Sequence, residues 1–240
     1  MFPNDTPKHA AEQIRHELRA GGSRQHAAGV QWFFKEEIQS HGWYTASLRK
    51  AAVQTRRRIL REESLGFLMK VADDLFHGDI LEEKVFAIFL LERLTDQLGS
   101  KEFHVFESWL ARVSTWADHD ALASYLFGPM LVSDPKRSQR VFVWAKKRSR
   151  WHRRAAAVSL IRGARAGLFE KEIIRISNLL LRDEDDIVQK GLGWLLREWT
   201  RDYPHRALPF LMKIRTNAPR LVLRTACEKL ASTDRKRVLG

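Results

Sequence analysis

A chain of 240 residues, 44% hydrophobic and 30% charged, is long enough for one large domain or an array of helical repeats, and too apolar for a disordered tail. Its 42 Lys and Arg against 29 Asp and Glu leave +13 at pH 7; this suits a polyanion partner, nucleic acid ahead of an anionic membrane, although basic chains also serve solubility. The single cysteine, Cys227, excludes an internal disulfide framework and any multi-cysteine metal site.

The opening "MFPNDTPKHAAEQ" lacks the apolar core of a signal peptide, and no apolar run approaches the roughly 20 residues a bilayer needs; the expected location is the cytoplasm. From there the pattern is helical nearly throughout. Apolar residues recur at three and four in "AAEQIRHEL", "GVQWFFKEEI", "ASLRKAAVQTRRRIL", "SLGFLMKVADDLF", "EEKVFAIFLLERLTDQL", "FHVFESWLARV" and "DALASYLFGPML". The same period continues through "SQRVFVWAKK", "RRAAAVSLIRGA", "EKEIIRISNLLL", "DIVQKGLGWLLREW", "RALPFLMKI" and "LVLRTACEKL". Breaks are short: Gly42, Gly78-Asp79, Gly99-Ser100, Ser133-Asp134-Pro135, Gly167, Pro204 and Pro219. The acidic run 183–186 is expected at a helix N-terminus, where it suits the macrodipole. About a dozen helices with tight turns predict an all-α chain, an α-solenoid of stacked antiparallel pairs of HEAT type. It is read as a single domain over 1–240 with a concave basic surface; a globular bundle is the alternative.

The densest basic segment is "KRSQRVFVWAKKRSRWHRR", 136–154. A charge run is ordinarily a solvated helix face. Here positive charge is interleaved with Trp144 and Trp151, and almost no acid neutralises it locally. Lys147, Arg150 and Arg153 are candidates for phosphate contacts, and Trp151 for stacking. Arg154 begins the apolar run, which would pack its stem and fix its guanidinium for bidentate phosphate recognition.

In "STWADHDALASYLFG", Ser114 or Thr115 can cap a helix beginning near Trp116, with Asp120 four residues on and on the same face. A buried Trp beside a salt-bridged Asp would give the same spacing. In "QKGLGWLLREW", Val188, Leu192, Leu195, Leu196 and Trp199 gather on one apolar side. Trp194 falls almost opposite, in line with Lys190, Arg197 and Arg201; the alternative puts it in a neighbouring repeat's core. Phosphate-binding glycine loops, helical His-Glu-x-x-His and nucleophile elbows are absent. The nine histidines lack ligand spacing; His119 and His152 read as surface residues, and Cys227 as a small core residue on the last helix.

At these residues the chain resembles the HEAT-repeat DNA alkylation repair enzymes, the AlkD-type alkylpurine DNA glycosylases, from about residue 25 to the C-terminus. "GWYTASLRKAA" and "HGDILEEKVFAIFLLERL" are early landmarks; "WADHD", "RWHRRAAAVSL" and "IVQKGLGWLLREW" follow in the family's order. The resemblance places the family's aromatic and carboxylate on Trp116 and Asp120, its phosphate-binding arginine on Arg154 and its second tryptophan on Trp194. It implies further DNA contacts at Thr45, Arg49, Lys190 and Arg197. It also implies a monomeric, monofunctional glycosylase that removes cationic N3- or N7-alkylated purines from duplex DNA, with no metal or organic cofactor. A non-catalytic relative that binds distorted or branched DNA, or a HEAT scaffold for an acidic protein or RNA, are the competing expectations.

Overall fold

The computed structural model describes residues 6–240; the first five, part of the stretch read for a signal peptide, lie outside the described residues. Sixteen α-helices occur among the described residues, in two compact units divided after Leu126. The first unit carries α1 (Pro7–Gly21), α2 (Arg24–Gln31), α3 (Thr45–Glu62), α4 (Leu65–Phe76), α5 (Leu81–Leu91), α6 (Ser100–Trp109) and α7 (Trp116–Leu122). A π-helical turn, Ala123–Phe127, follows. The second unit carries α8 (Gly128–Ser133), α9 (Gln139–Trp144), α10 (Arg150–Val158), α11 (Ile161–Arg165) and α12 (Glu170–Leu180). It ends with α13 (Asp186–Asp202), α14 (Pro204–Ile214), α15 (Arg220–Ala226) and α16 (Ser232–Leu239). No helix among the described residues is long and apolar enough to cross a membrane.

Helix starts follow local chemistry. Thr6 accepts from the His9 amide ahead of Pro7, Ser64 from Phe67, and Asp185 from Ile187, so the acidic run does cap α13. Two expectations fail. "GVQWFFKEEI" is not one helix: α2 stops at Gln31, whose side-chain amide donates to the Phe34 and Glu36 carbonyls and whose Oε1 accepts from the Ile38 amide. That side chain replaces the helical ladder and turns the chain, leaving Trp32 and Phe33 exposed. Cys227 is buried as expected, but it ends α15, and α16 follows where no helix is expected.

Each unit is organised on one central helix. In the first, α5 packs against α1, α3, α4 and α7 and is buried on nearly every side. Its charged N-terminal turn is consumed by structure. Glu82 accepts from the Ser40 hydroxyl (2.6 Å) and from the amides of His41 (2.8 Å), Gly42 (2.9 Å) and Trp43 (3.2 Å). Gly42 is left-handed, φ 78°, and a Cβ there would lie 2.0 Å from the Ser23 carbonyl oxygen, so only glycine completes this turn. Glu83 accepts from Arg15 Nε and pairs with His41 Nε2. The landmarks "GWYT" and "EEK" are thus two sides of one hydrogen-bonded joint.

In the second unit, α13 packs against α10, α11, α12, α14 and α15. Gly193 lets α15 approach, since a Cβ there would lie 2.8 Å from Thr225 Cβ. Glu198, buried on the same helix, meets Arg165 (2.9 Å), Arg201 (2.7 Å) and Arg197 (3.2 Å). Burial alone would raise its pKa, but the hydrogen bond and charge of Arg165, with Arg201 and Arg197, hold the carboxyl below its ordinary 4.5.

A carboxyl lowered in the folded state stabilises fully above its unfolded pKa, and that stability is lost as pH falls through the folded value. Glu198→Gln is therefore expected to cost about 1–3 kcal/mol near neutral pH, because its guanidinium partners remain partly solvated. In urea unfolding the deficit should begin to shrink as pH falls below the unfolded value and vanish only below the folded one. A deficit that does not shrink on acidification would contradict the assignment.

Candidate active site

The first unit carries Trp116 and Asp120 on α7. Thr115 caps this helix as expected: its hydroxyl accepts from the amides of Ala117 and Asp118, while the Asp118 carboxylate accepts from the Ser114 and Thr115 amides. Asp118 is buried, and so is Lys84 of α5, whose Nζ donates to the Arg112 carbonyl (2.7 Å) and Ser114 hydroxyl (3.1 Å) and lies 3.7 Å from Asp118 Oδ2. This buried pair fixes the start of α7. One turn on, Asp120 keeps 18% of its side chain exposed. Of the two carboxylates in "WADHD", the cap seals the first, while the second keeps part of its surface exposed.

Trp116 is 40% exposed, so the reading of a buried structural Trp does not hold. One indole face stacks on Phe34, with ring centroids 5.1 Å apart and planes at 18°. Phe34 went unrecognised because its segment has a helical period; the neighbouring aromatics in "QWFF" were the available signal. His119 was read as a surface residue, yet it is fully buried, its Nδ1 lying 2.8 Å from Asp120 Oδ1. The surface reading fails at His119 because the short α7 and the π turn after it leave that ring enclosed.

The second unit, described by itself, carries Arg154 and Trp194. Arg154 is 6% exposed, and its Nη1 donates to the Ile187 carbonyl at 2.6 Å. Its stem lies on Gly191, where a Cβ would stand 3.0 Å from Cγ and 3.3 Å from Nη1. Packed stem and fixed head are as the sequence implies. Ile187, Gly191 and Trp194 stand at i, i+4 and i+7, so Arg154 and Trp194 share one stripe of α13. The Trp194 ring is half-buried, and its Nε1 is buried without a hydrogen-bond partner. It is less open than its place on the helical wheel implies.

The expected outer contacts divide. Lys147 and Thr45 are exposed, and Lys190 makes only an exposed pair with Asp186 (2.9 Å), which water and salt readily loosen. Others are engaged by the fold. Trp151, like Trp144, is buried, so neither ring offers a face to a base; burial of the apolar stripe outweighs the surrounding charge. Arg150 lies over the Trp151 ring at 4.9 Å and near Asp185 at 3.9 Å. Arg153 joins Asp183 to the Lys147 and Arg148 carbonyls. Arg197 sits between Glu198 and Glu228. Arg49 lies 4.2 Å from the Phe89 ring centre, 4.6 Å from that of Tyr125 and 3.5 Å from Glu92.

With this geometry established, comparison with known proteins is specific. The sequence profile described as "DNA alkylation repair enzyme" matches residues 14–230, and the chain belongs to that family. Among solved structures, a predicted DNA alkylation repair enzyme from Enterococcus faecalis is similar at TM-score 0.79 and 16% identity, over 88% of this chain and 97% of the other. AlkD2 from Streptococcus mutans is similar at TM-score 0.64 and 17% identity, over 91% and 98%. The smu.31 protein of Streptococcus mutans UA159 follows at 0.57 and 20%, over 78% and 97%. No curated protein matches the chain. These neighbours establish an all-helical repeat fold in common.

Gly191 gives a test of the Arg154 seat. Gly191→Ala should cost about 1–3 kcal/mol by overpacking. In an Arg154→Ala background the same change should cost far less, because the stem it strikes is gone. Additive losses in thermal unfolding would contradict the contact.

Proposed function

We propose that the protein is a monofunctional DNA glycosylase that hydrolyses the N-glycosidic bond of cationic N3- or N7-alkylated purines in duplex DNA, acting as a monomer. The observation carrying this reading is the division of labour in "WADHD": Asp118 is sealed in the helix cap, while Asp120 keeps 18% of its side chain exposed one helical turn from the 40% exposed Trp116.

An alkylated purine already carries positive charge, so its departure needs no strong general acid. As the bond from C1′ to nitrogen breaks, its electron pair passes to the purine, which leaves neutral, and the sugar takes on oxocarbenium character. Glycoside hydrolysis meets the same electronic demand with carboxylates. Asp120 supplies negative charge to the sugar and orients water; the water oxygen bonds to C1′ and its proton passes through Asp120 to solvent. The product is an abasic site.

The open face of Trp116 favours a cationic nucleotide by cation–π attraction, about 0.5–2 kcal/mol. Arg154, held by Ile187 and Gly191, contacts backbone phosphate and keeps the lesion in register, with Trp194 packing beside it on the same DNA and Lys190 and Lys147 adding salt-dependent attraction. No deep pocket for a flipped base is required by this chemistry, because selectivity rests on the charge and lability of the lesion rather than on the Watson–Crick edge.

Release of free purine from methylated duplex DNA tests the reading. Wild type should release 3-methyladenine or 7-methylguanine. Asp120→Asn should fall by at least about a hundredfold while keeping DNA affinity. Arg154→Ala should weaken binding and excision together. Tight binding without release by wild type would make this a DNA-binding relative, and full release by Asp120→Asn would remove the carboxylate from the mechanism.

A further inference from the structure

We propose that His119 is a positioning residue that fixes the Asp120 carboxylate for attack on the sugar, acting as an Nδ1–H donor. The inference rests on the glycosylase reading above and extends it to a residue that is neither exposed nor part of the Trp-x-x-x-Asp pattern.

His119 is fully buried, and its Nδ1 stands 2.8 Å from Asp120 Oδ1. Its own amide donates to Asp118 Oδ1 at 3.0 Å, which ties it to the cap that Lys84 holds. The backbone of His119 is held by the cap and its ring is enclosed, so the imidazole gives the Asp120 carboxylate a fixed partner. An aspartate with one engaged oxygen loses rotation about its side-chain torsions, so its negative charge is presented in one plane rather than averaged over several. Such a bond requires the proton on Nδ1. That is a specific tautomer, and the partner of each ring nitrogen selects it.

The arrangement resembles the supporting partners of metal and nucleophile sites, where a group that never touches substrate orients one that does. It also places a donor against a carboxylate whose work is to stay anionic. An Nδ1–H donor stabilises that anion through a hydrogen bond.

Two substitutions separate orientation from packing. Asparagine places an amide N–H where Nδ1 stands, whereas glutamine reaches toward the position of Nε2. His119→Gln should lose about ten- to hundredfold in the single-turnover rate of purine release with DNA affinity unchanged. His119→Asn should recover most of that loss. A geometric readout that needs no activity accompanies them: 15N spectra of the wild-type protein, with the His119 signals identified by their loss in His119→Asn. A proton on Nδ1 whose resonance shifts in Asp120→Ala supports the proposal. A bare Nδ1, or equal rates for His119→Gln and wild type, overturns it, and equal losses in both variants reduce His119 to packing. Failure of wild type to release purine would defeat the glycosylase reading and this role with it, while the Nδ1 signal would locate that failure in activity and not in geometry.

Discussion

The candidate site depends on one buried cation. Lys84 leaves the central helix of the first unit and ends against the Arg112 carbonyl, the Ser114 hydroxyl and the Asp118 carboxylate, all at the mouth of α7. A buried ammonium is tolerated only when its hydrogen bonds and countercharge are supplied, and breaking such a pair by removing one partner is strongly destabilising. Here the supply comes from the loop that must be placed. The same Asp118 closes the capping box with Thr115, and α7 then carries Trp116 and Asp120 at fixed azimuth. Stability and site geometry are one set of interactions.

The second unit reaches the same end through absence of side chain. Two glycines on α13 admit neighbours from different directions: Gly191 admits the Arg154 stem and Gly193 admits Thr225. A helix interior with two glycines sacrifices about 1 kcal/mol each in propensity, and close packing returns it. The Arg154 guanidinium is fixed as a result, its stem against Gly191 and its Nη1 on the Ile187 carbonyl. Both units thus use a central helix to position polar groups: Lys84 of α5 holds the start of α7, and Gly191 of α13 seats the Arg154 stem.

The sequence made the helices legible because their apolar stripes are long and their caps ordinary, as in α1, α4 and α13. It also singled out Asp120, Trp116, Arg154 and Trp194. What escaped was non-local. The end of α2 is set by the Gln31 side chain and not by any breaker residue, and that turn delivers Phe34 to Trp116 from more than 80 positions away in the chain. His119 lies beside the apparent polar face of a seven-residue helix, too short for a period to report what covers it. The basic run misled in the opposite sense: Trp151 and Arg153 look like a nucleic-acid surface by composition, yet one is core and the other staples a loop to Asp183. Charge and aromatic content alone do not separate a ligand-facing side chain from one consumed by the fold.

The central claim is that Asp120 stabilises positive charge developing on the sugar. Its most direct measurement compares the affinities of duplexes carrying a cationic pyrrolidine abasic analogue and a neutral tetrahydrofuran abasic site, for wild type and for Asp120→Asn. A transition-state mimic should bind wild type at least about a hundredfold more tightly than its neutral counterpart, and that preference should largely vanish in Asp120→Asn while tetrahydrofuran affinity stays the same. An equal preference in both proteins would show that the discrimination comes from general electrostatic attraction and would contradict the role assigned to Asp120.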